Sequence, residues 1–118
     1  MTVYVDDMYL YPAGRFGRMK MSHLIADTTA ELLAMVHTIG VNAKWIQHAD
    51  TADEHFDIAM SMRQAAIAAG AVKITYRECG AMNARRRVTG ALGSPSDAIA
   101  WLEHHFAQRK TGGLDAHA

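Results

Sequence analysis

Thr28-Thr29-Ala30-Glu31-Leu32-Leu33-Ala34-Met35-Val36-His37-Thr38-Ile39-Gly40 carries the marks of an α-helix from start to stop. Thr28 and Glu31 have capping-box spacing, so each can satisfy a backbone N–H that the first turn leaves open. Leu32, Leu33, Met35, Val36 and Ile39 recur at helical intervals, and Gly40 accepts the left-handed conformation that ends a helix. On its N-terminal side, residues 19–25 read as a strand. Before them lies a loop over residues 9–18, punctuated by Pro12, Gly14 and Gly17. On its C-terminal side, residues 41–47 read as extended, with Trp45 and Ile46 as the heavy apolar residues and Trp45 expected in the core.

The same rhythm repeats. His55-Phe56-Asp57-Ile58 alternates as a half-buried strand does. Ser61-Met62-Arg63-Gln64 offers a second capping box before an Ala-rich helix closing at Gly70, and residues 72–76 form a further strand. Upstream, Val3-Tyr4-Val5 is a short strand stopped by Asp6 and Asp7. Strands alternating with helices predict a small α/β layered domain. Its sheet is expected to be mixed or mainly parallel, with four to five strands and two crossover helices.

After residue 76 the chain turns helical and basic. Residues 1–76 sum to −2 and residues 77–118 to +2. Arg85-Arg86-Arg87 reads as a helix end complementing its dipole, and Ser94-Pro95-Ser96-Asp97 as a helix start with Pro95 at the first position. The expected organisation is an α/β body over residues 1–79, a helical extension over 80–110 and a flexible tail over 111–118. Ile99, Leu102 and Phe106, flanked by Trp101, form an apolar stripe, so a homo-oligomer, specifically a dimer, is expected.

Composition sets the class. The 118 residues hold twelve basic and twelve acidic side chains, half are hydrophobic, and Cys79 is the single cysteine. A net charge of zero removes the long-range field of a dedicated nucleic-acid binder. One cysteine makes no internal disulfide, no apolar run approaches the length of a membrane helix, and the start of the chain lacks a signal peptide's apolar segment. A cytoplasmic protein is expected.

Several of these segments, taken in order, resemble one family. They are Val3-Tyr4-Val5-Asp6-Asp7, the Gly-Arg loop Gly14-Arg15-Phe16-Gly17-Arg18, Ser22-His23-Leu24-Ile25-Ala26-Asp27-Thr28, His55-Phe56-Asp57-Ile58, and Arg63 leading to Ala69-Gly70-Ala71. Over about residues 1–79 the chain resembles the domain-of-unknown-function family four-zero-three-one, found in short bacterial and bacteriophage proteins. The resemblance implies a bacterial cytoplasm, or the host cytoplasm for a phage-encoded chain. It brings no reaction with it.

Chemistry is sought in two groups of residues. His55 and Asp57 are two apart on a strand and project from one face. His23 sits on a neighbouring candidate strand, and Asp6 and Asp7 lie at a strand end, where α/β sheets form ligand crevices. His23, His55, Asp57 and Asp7 are therefore candidate acid–base residues. A metal, if one binds, would take His23, His55 and Asp57; the sequence specifies no cofactor. The second group is Arg15 and Arg18 of the Gly-Arg loop together with Arg63, whose cation near a helix N-terminus calls for an anion or a carboxylate partner. Trp45 and Asp6 complete the candidate ligand-binding set. The expected function is a small hydrolase or transferase on a phosphorylated or nucleotide-like substrate. The alternatives are a non-catalytic module for a small anionic ligand and a homo-oligomeric interaction protein.

Overall fold

The computed structural model describes residues 2–116, with side chains through residue 109. Strand β1 (Val3–Val5) leads through two 3₁₀ turns, Met8–Leu10 and Pro12–Gly14, into β2 (Arg15–Phe16) and the long β3 (Met19–Ala26). Helix α1 (Thr29–Ile39), a 3₁₀ turn (Ala43–Trp45), β4 (Phe56–Ala59), α2 (Met60–Ala68), β5 (Val72–Lys73), α3 (Tyr76–Thr89) and α4 (Pro95–Ala116) follow. β3 is the hub: β1, β2 and β4 all pair with it antiparallel, and β5 joins β1 in parallel. The five-stranded sheet is thus mixed, as the sequence predicts. Both β4 and β5 run parallel to β1, so α2 is the crossover between them, whereas α1 joins antiparallel neighbours.

The alternation of β3 divides the core in two. Leu24 and Ala26 join Val5, Phe56 and Ile58 against Leu32, Met35, Val36 and Ile39 of α1 and Ala66 of α2. On the opposite face Ile25 and Tyr4 pack with Cys79, Ala81 and Met82 of α3 and with Leu92 and Ala98 at the start of α4. The result is three layers, with helices on both sheet faces. Among the described residues no helix is long and apolar enough to cross a membrane.

α1 begins and ends where its caps predict. Thr28 Oγ1 accepts the Glu31 N–H at 3.2 Å, and Gly40 stands at φ +82°. Three neighbouring expectations are corrected. Residues 41–47 form no strand; they turn through Ala43–Trp45 and keep only an isolated bridge between Gln47 and His55. Trp45 is 63% exposed, with the Lys44 ammonium 5.0 Å from its ring centroid, so it is no core residue. α2 is not capped by Ser61. It starts at Met60 directly from β4, with Ala59 as its N-cap and no side-chain cap bond. Strand β5 also stops early. Thr75-Tyr76-Arg77-Glu78 is a capping box that launches α3, with Glu78 N donating to Thr75 Oγ1 at 3.0 Å and Thr75 N to Glu78 Oε1 at 2.8 Å.

The arginine run ties this fold together. Arg85 donates from Nε to the Leu92 carbonyl at 2.7 Å, from Nη1 to Asp97 at 2.9 Å and from Nη2 to the Ser94 carbonyl at 2.6 Å, which fixes the turn into α4. Gly93 (φ +69°) lies against that guanidinium, and a Cβ there would come within 2.5 Å of Cζ. Arg86 reaches the other way, to the carbonyls of Ala52 in the loop before β4 and of Ala26 at the end of β3. Arg87 is half exposed and lies 3.7 Å from Asp53. Pro95 opens α4 as expected; the tail expected over 111–118 falls beyond the described side chains.

Candidate functional site

Pairing of β3 with β4 sets His23 directly opposite Asp57, and strand alternation puts His55 on the same face, two residues before Asp57. At the end of β1 the ladder continues through the Asp6 N–H, which donates to the His23 carbonyl at 3.0 Å. The reciprocal bond is made by a side chain: His23 N donates to Asp6 Oδ1 at 2.8 Å, and Met8 N donates to the same oxygen at 3.1 Å. This exchange frees the Asp6 carbonyl, which accepts from Arg63 Nε at 2.9 Å. Asp6 is wholly buried, and three donors converge on its carboxylate.

The third of these donors fixes the chemistry of His23. Its Nδ1 lies 2.8 Å from Asp6 Oδ2, and an ionised carboxylate only accepts, so Nδ1 carries the hydrogen. His55 Nδ1 lies 2.7 Å from the Asp53 carbonyl and is a donor for the same reason. Neutral rings so held present their Nε2 lone pairs, and both face Asp57 Oδ1, at 3.7 Å from His23 and 3.5 Å from His55. The other Asp57 oxygen accepts from Gln47 Nε2 at 2.7 Å, whereas Oδ1 is buried without a hydrogen-bond partner. With both rings neutral, three lone-pair donors thus converge with no proton among them. Ligand atoms of a tetrahedral ion bound at ~2.0–2.1 Å lie about 3.3 Å apart, close to these separations. His23, His55 and Asp57 are a candidate metal centre, with one ligand atom from each within 4.8 Å of the others. Asp6 and the Asp53 carbonyl orient the two rings, as the outer partners of metal-binding histidines do.

Asp6, His23 and Cys79 form a second grouping of ligand types. Burial pushes the Cys79 thiol well above its ordinary range, and the adjacent Asp6 carboxylate adds to the rise. The thiol is therefore protonated, and His23 Nδ1 is already a donor, so protons occupy this grouping.

Burial of the His23 ring disfavours its charge, but hydrogen bonding and attraction from Asp6, with attraction from Asp57, outweigh this and raise its pKa above 6.5. A raised folded-state pKa gives stability that is full below the unfolded value and is lost as pH rises through the folded one. Metal-free protein is therefore expected to lose stability as pH rises from the ordinary histidine value of about 6.5 through the higher folded-state one. A bound cation, which competes with protons for Nε2, reverses that slope. Thermal melts across this range, with chelator and with zinc, check both signs; parallel slopes would count against the centre.

The structure gathers Asp6, His23, His55 and Asp57 and leaves the other candidates outside. Asp7 anchors α3, its Oδ1 accepting the Tyr76 N–H at 2.6 Å. Arg63 has found its partner in the Asp6 carbonyl and lies 4.7 Å over the Tyr9 ring, so it supports the site from behind. Arg15 and Arg18 are exposed on the β2–β3 hairpin. Gly14, which opens that loop, is buried so tightly that a Cβ would strike the Met8 and Met21 carbonyls. Its role is close backbone packing. Trp45 projects into solvent.

Sequence reasoning missed Gln47, His48, Glu54, Tyr76 and Arg86. The Tyr76 ring stacks on His23 at 5.9 Å and meets Tyr11 at a tilt, 5.5 Å between centroids, while His48 stacks on His55 at 5.8 Å. The Thr75–Glu78 capping box signals that Tyr76 opens a helix. Gln47 and His48 carry no local signal, since only the bridge to His55 brings them in. The model of a family described as a protein of unknown function, DUF4031, matches residues 3–86. Its reach to Arg86 exceeds the 1–79 expected, and takes in the part of α3 that closes over the site. No curated protein and no solved structure matches the chain.

Proposed function

This chain belongs to the DUF4031 family, and from that premise we propose that it is a metal-dependent hydrolase of a phosphorylated or nucleotide-like substrate. His23, His55 and Asp57 would be the metal ligands. One observation carries the proposal: Asp57 Oδ1, buried and without a hydrogen-bond partner, faces two imidazole nitrogens whose rings are locked in the metal-binding tautomer.

A divalent cation there supplies Lewis acidity and lowers the pKa of a bound water to about 7. The chain's own residues supply the rest. Asp6 makes His23 a stronger donor by accepting its Nδ1 hydrogen, and Gln47 keeps Asp57 turned so that one oxygen is left for the ion. The ligand side chains are partly exposed, 24% for His23, 13% for His55 and 16% for Asp57, which leaves coordination positions open to water and substrate. Such an open cationic centre favours an anionic substrate. Tyr76, stacked on His23 with the Tyr11 ring tilted against it, favours one that also carries a planar ring.

Metal analysis of purified protein, followed by turnover of p-nitrophenyl phosphate and bis(p-nitrophenyl) phosphate with added zinc or manganese, tests the proposal. The expected result is one ion per chain and metal-dependent turnover that the His55→Ala variant loses. Metal uptake without turnover would make the protein a binding module. No uptake by the wild type would end the metal-dependent proposal.

A further inference from the structure

The loop closed by the Gln47–His55 bridge, residues 48–54, is held by two groups the chemistry above does not use. Glu54 is only 4% exposed. It spends its carboxylate on the loop, accepting from Asp50 N at 3.1 Å through Oε1 and from Thr29 Oγ1 at 2.8 Å through Oε2. Arg86 crosses from α3 and donates from Nε to the Ala52 carbonyl at 2.8 Å and from Nη1 to the Ala26 carbonyl at 2.9 Å, with Nη2 3.5 Å from the Glu54 carbonyl. Between the two carbonyls that Arg86 takes from this loop lies Asp53, whose own carbonyl receives His55 Nδ1. The loop also contains His48 and Asp50 at φ +52° and +62°, conformations that non-glycine residues hold only when their surroundings impose them. Its path is set by these anchors together with the loop's own bonds from Thr51 to the His48 carbonyl and from Asp53 N to Thr51 Oγ1.

We propose that Arg86 and Glu54 are positioning residues of the metal centre. By fixing the carbonyl of Asp53 they aim His55 Nε2 at Asp57 and set the affinity for the ion. The proposal rests on the metal-site assignment made above and adds to it residues that touch no ligand. The two anchors work from opposite sides. Glu54 holds the loop to the start of α1, and Arg86 holds it to α3 and to the end of β3. Loss of either lets the carbonyl swing, so that the ring trades its fixed tautomer for a mixture. Outer partners of metal-bound histidines characteristically change affinity by about 10–100-fold.

The experiment compares zinc affinity by chelator competition, and the visible spectrum of the cobalt(II)-loaded protein, in wild type, Arg86→Met, Arg86→Lys and Thr29→Val. Metal-free melting is recorded for each. The expected result is roughly a 10–100-fold loss of zinc affinity and an altered cobalt spectrum in Arg86→Met, with partial recovery in Arg86→Lys, which retains one donor, and a smaller loss in Thr29→Val. Should Arg86→Met fail to fold, Arg86→Lys and Thr29→Val carry the same comparison. A lowered melting point with unchanged zinc affinity would make these residues structural and overturn the proposal while leaving the metal site intact. A wild type that takes up no zinc would overturn both.

Discussion

Replacing Asp57 with asparagine is expected to raise the stability of the metal-free protein and to abolish its metal uptake. Asp57 Oδ1 is a buried carboxylate oxygen with no donor, opposed by two nitrogen lone pairs. Leaving a buried polar atom unpaired costs about 1–3 kcal/mol, and the repulsion of a negative charge from those lone pairs adds to that cost. Asparagine keeps an oxygen for Gln47 and turns an amide N–H₂ toward His23 and His55, whose Nε2 atoms can accept. At alkaline pH, with both rings neutral, the Asp57→Asn variant should gain about 1–2 kcal/mol, a few degrees in melting temperature. It should lose zinc affinity by at least about 100-fold, since an amide is a poor ligand beside a carboxylate. Calorimetry with chelator present and zinc competition on the same sample measure the two effects. A structural Asp57 would behave oppositely, and a variant that is less stable yet still binds zinc would remove the centre altogether. Stability sacrificed at one residue for the sake of a ligand is how functional sites are commonly built.

The pieces of this centre were unequally legible in the chain. His55 and Asp57 announce themselves, because a strand's period places them on one face whatever the fold. His23 opposite Asp57 is a matter of register, readable only once β3 and β4 are known to pair antiparallel. Arg63 shows the same dependence on the fold from the other side. A cation near the start of α2 does want a partner, but the partner is the Asp6 carbonyl, distant in sequence and left free by a side-chain exchange at the end of β1. Local chemistry served well where an element is set by its own residues, as with the Thr28 and Glu31 cap of α1. It failed at β5, where Val72, Ile74 and Tyr76 look like one strand although Thr75 already caps a helix. β-propensity describes side chains that suit a half-buried pleat, and such side chains serve equally well at a helix start packed on a sheet. Trp45 shows the limit of size as a guide to burial, since a large apolar ring on a 3₁₀ turn stayed in solvent under a lysine.

Asp6 is where the largest loss of stability is expected, and two substitutions separate its structural part from its chemical one. Asp6→Ala removes the only acceptor given to His23 Nδ1 and the one that Met8 N and His23 N share. Stranding that many donors beside a buried ring should cost about 3–5 kcal/mol, visible as a lower urea midpoint. Asp6→Asn retains an oxygen for the two backbone N–H groups, so the fold should survive with a smaller loss. Its amide N–H₂, however, now points at His23 Nδ1, which must become the acceptor. The ring hydrogen then moves to Nε2, where it donates to Asp57 Oδ1. One substitution would thus quench the orphaned carboxylate and remove a lone pair from the centre, with no ligand replaced. Nitrogen NMR of the imidazole should report hydrogen on Nδ1 in the wild type and on Nε2 in Asp6→Asn, and zinc affinity should fall by about 10–100-fold. Retention of the wild-type tautomer together with full zinc affinity would show that Asp6 only braces the end of β1. A tautomer switch accompanied by lost affinity would instead identify the buried carboxylate as the residue that makes His23 a ligand.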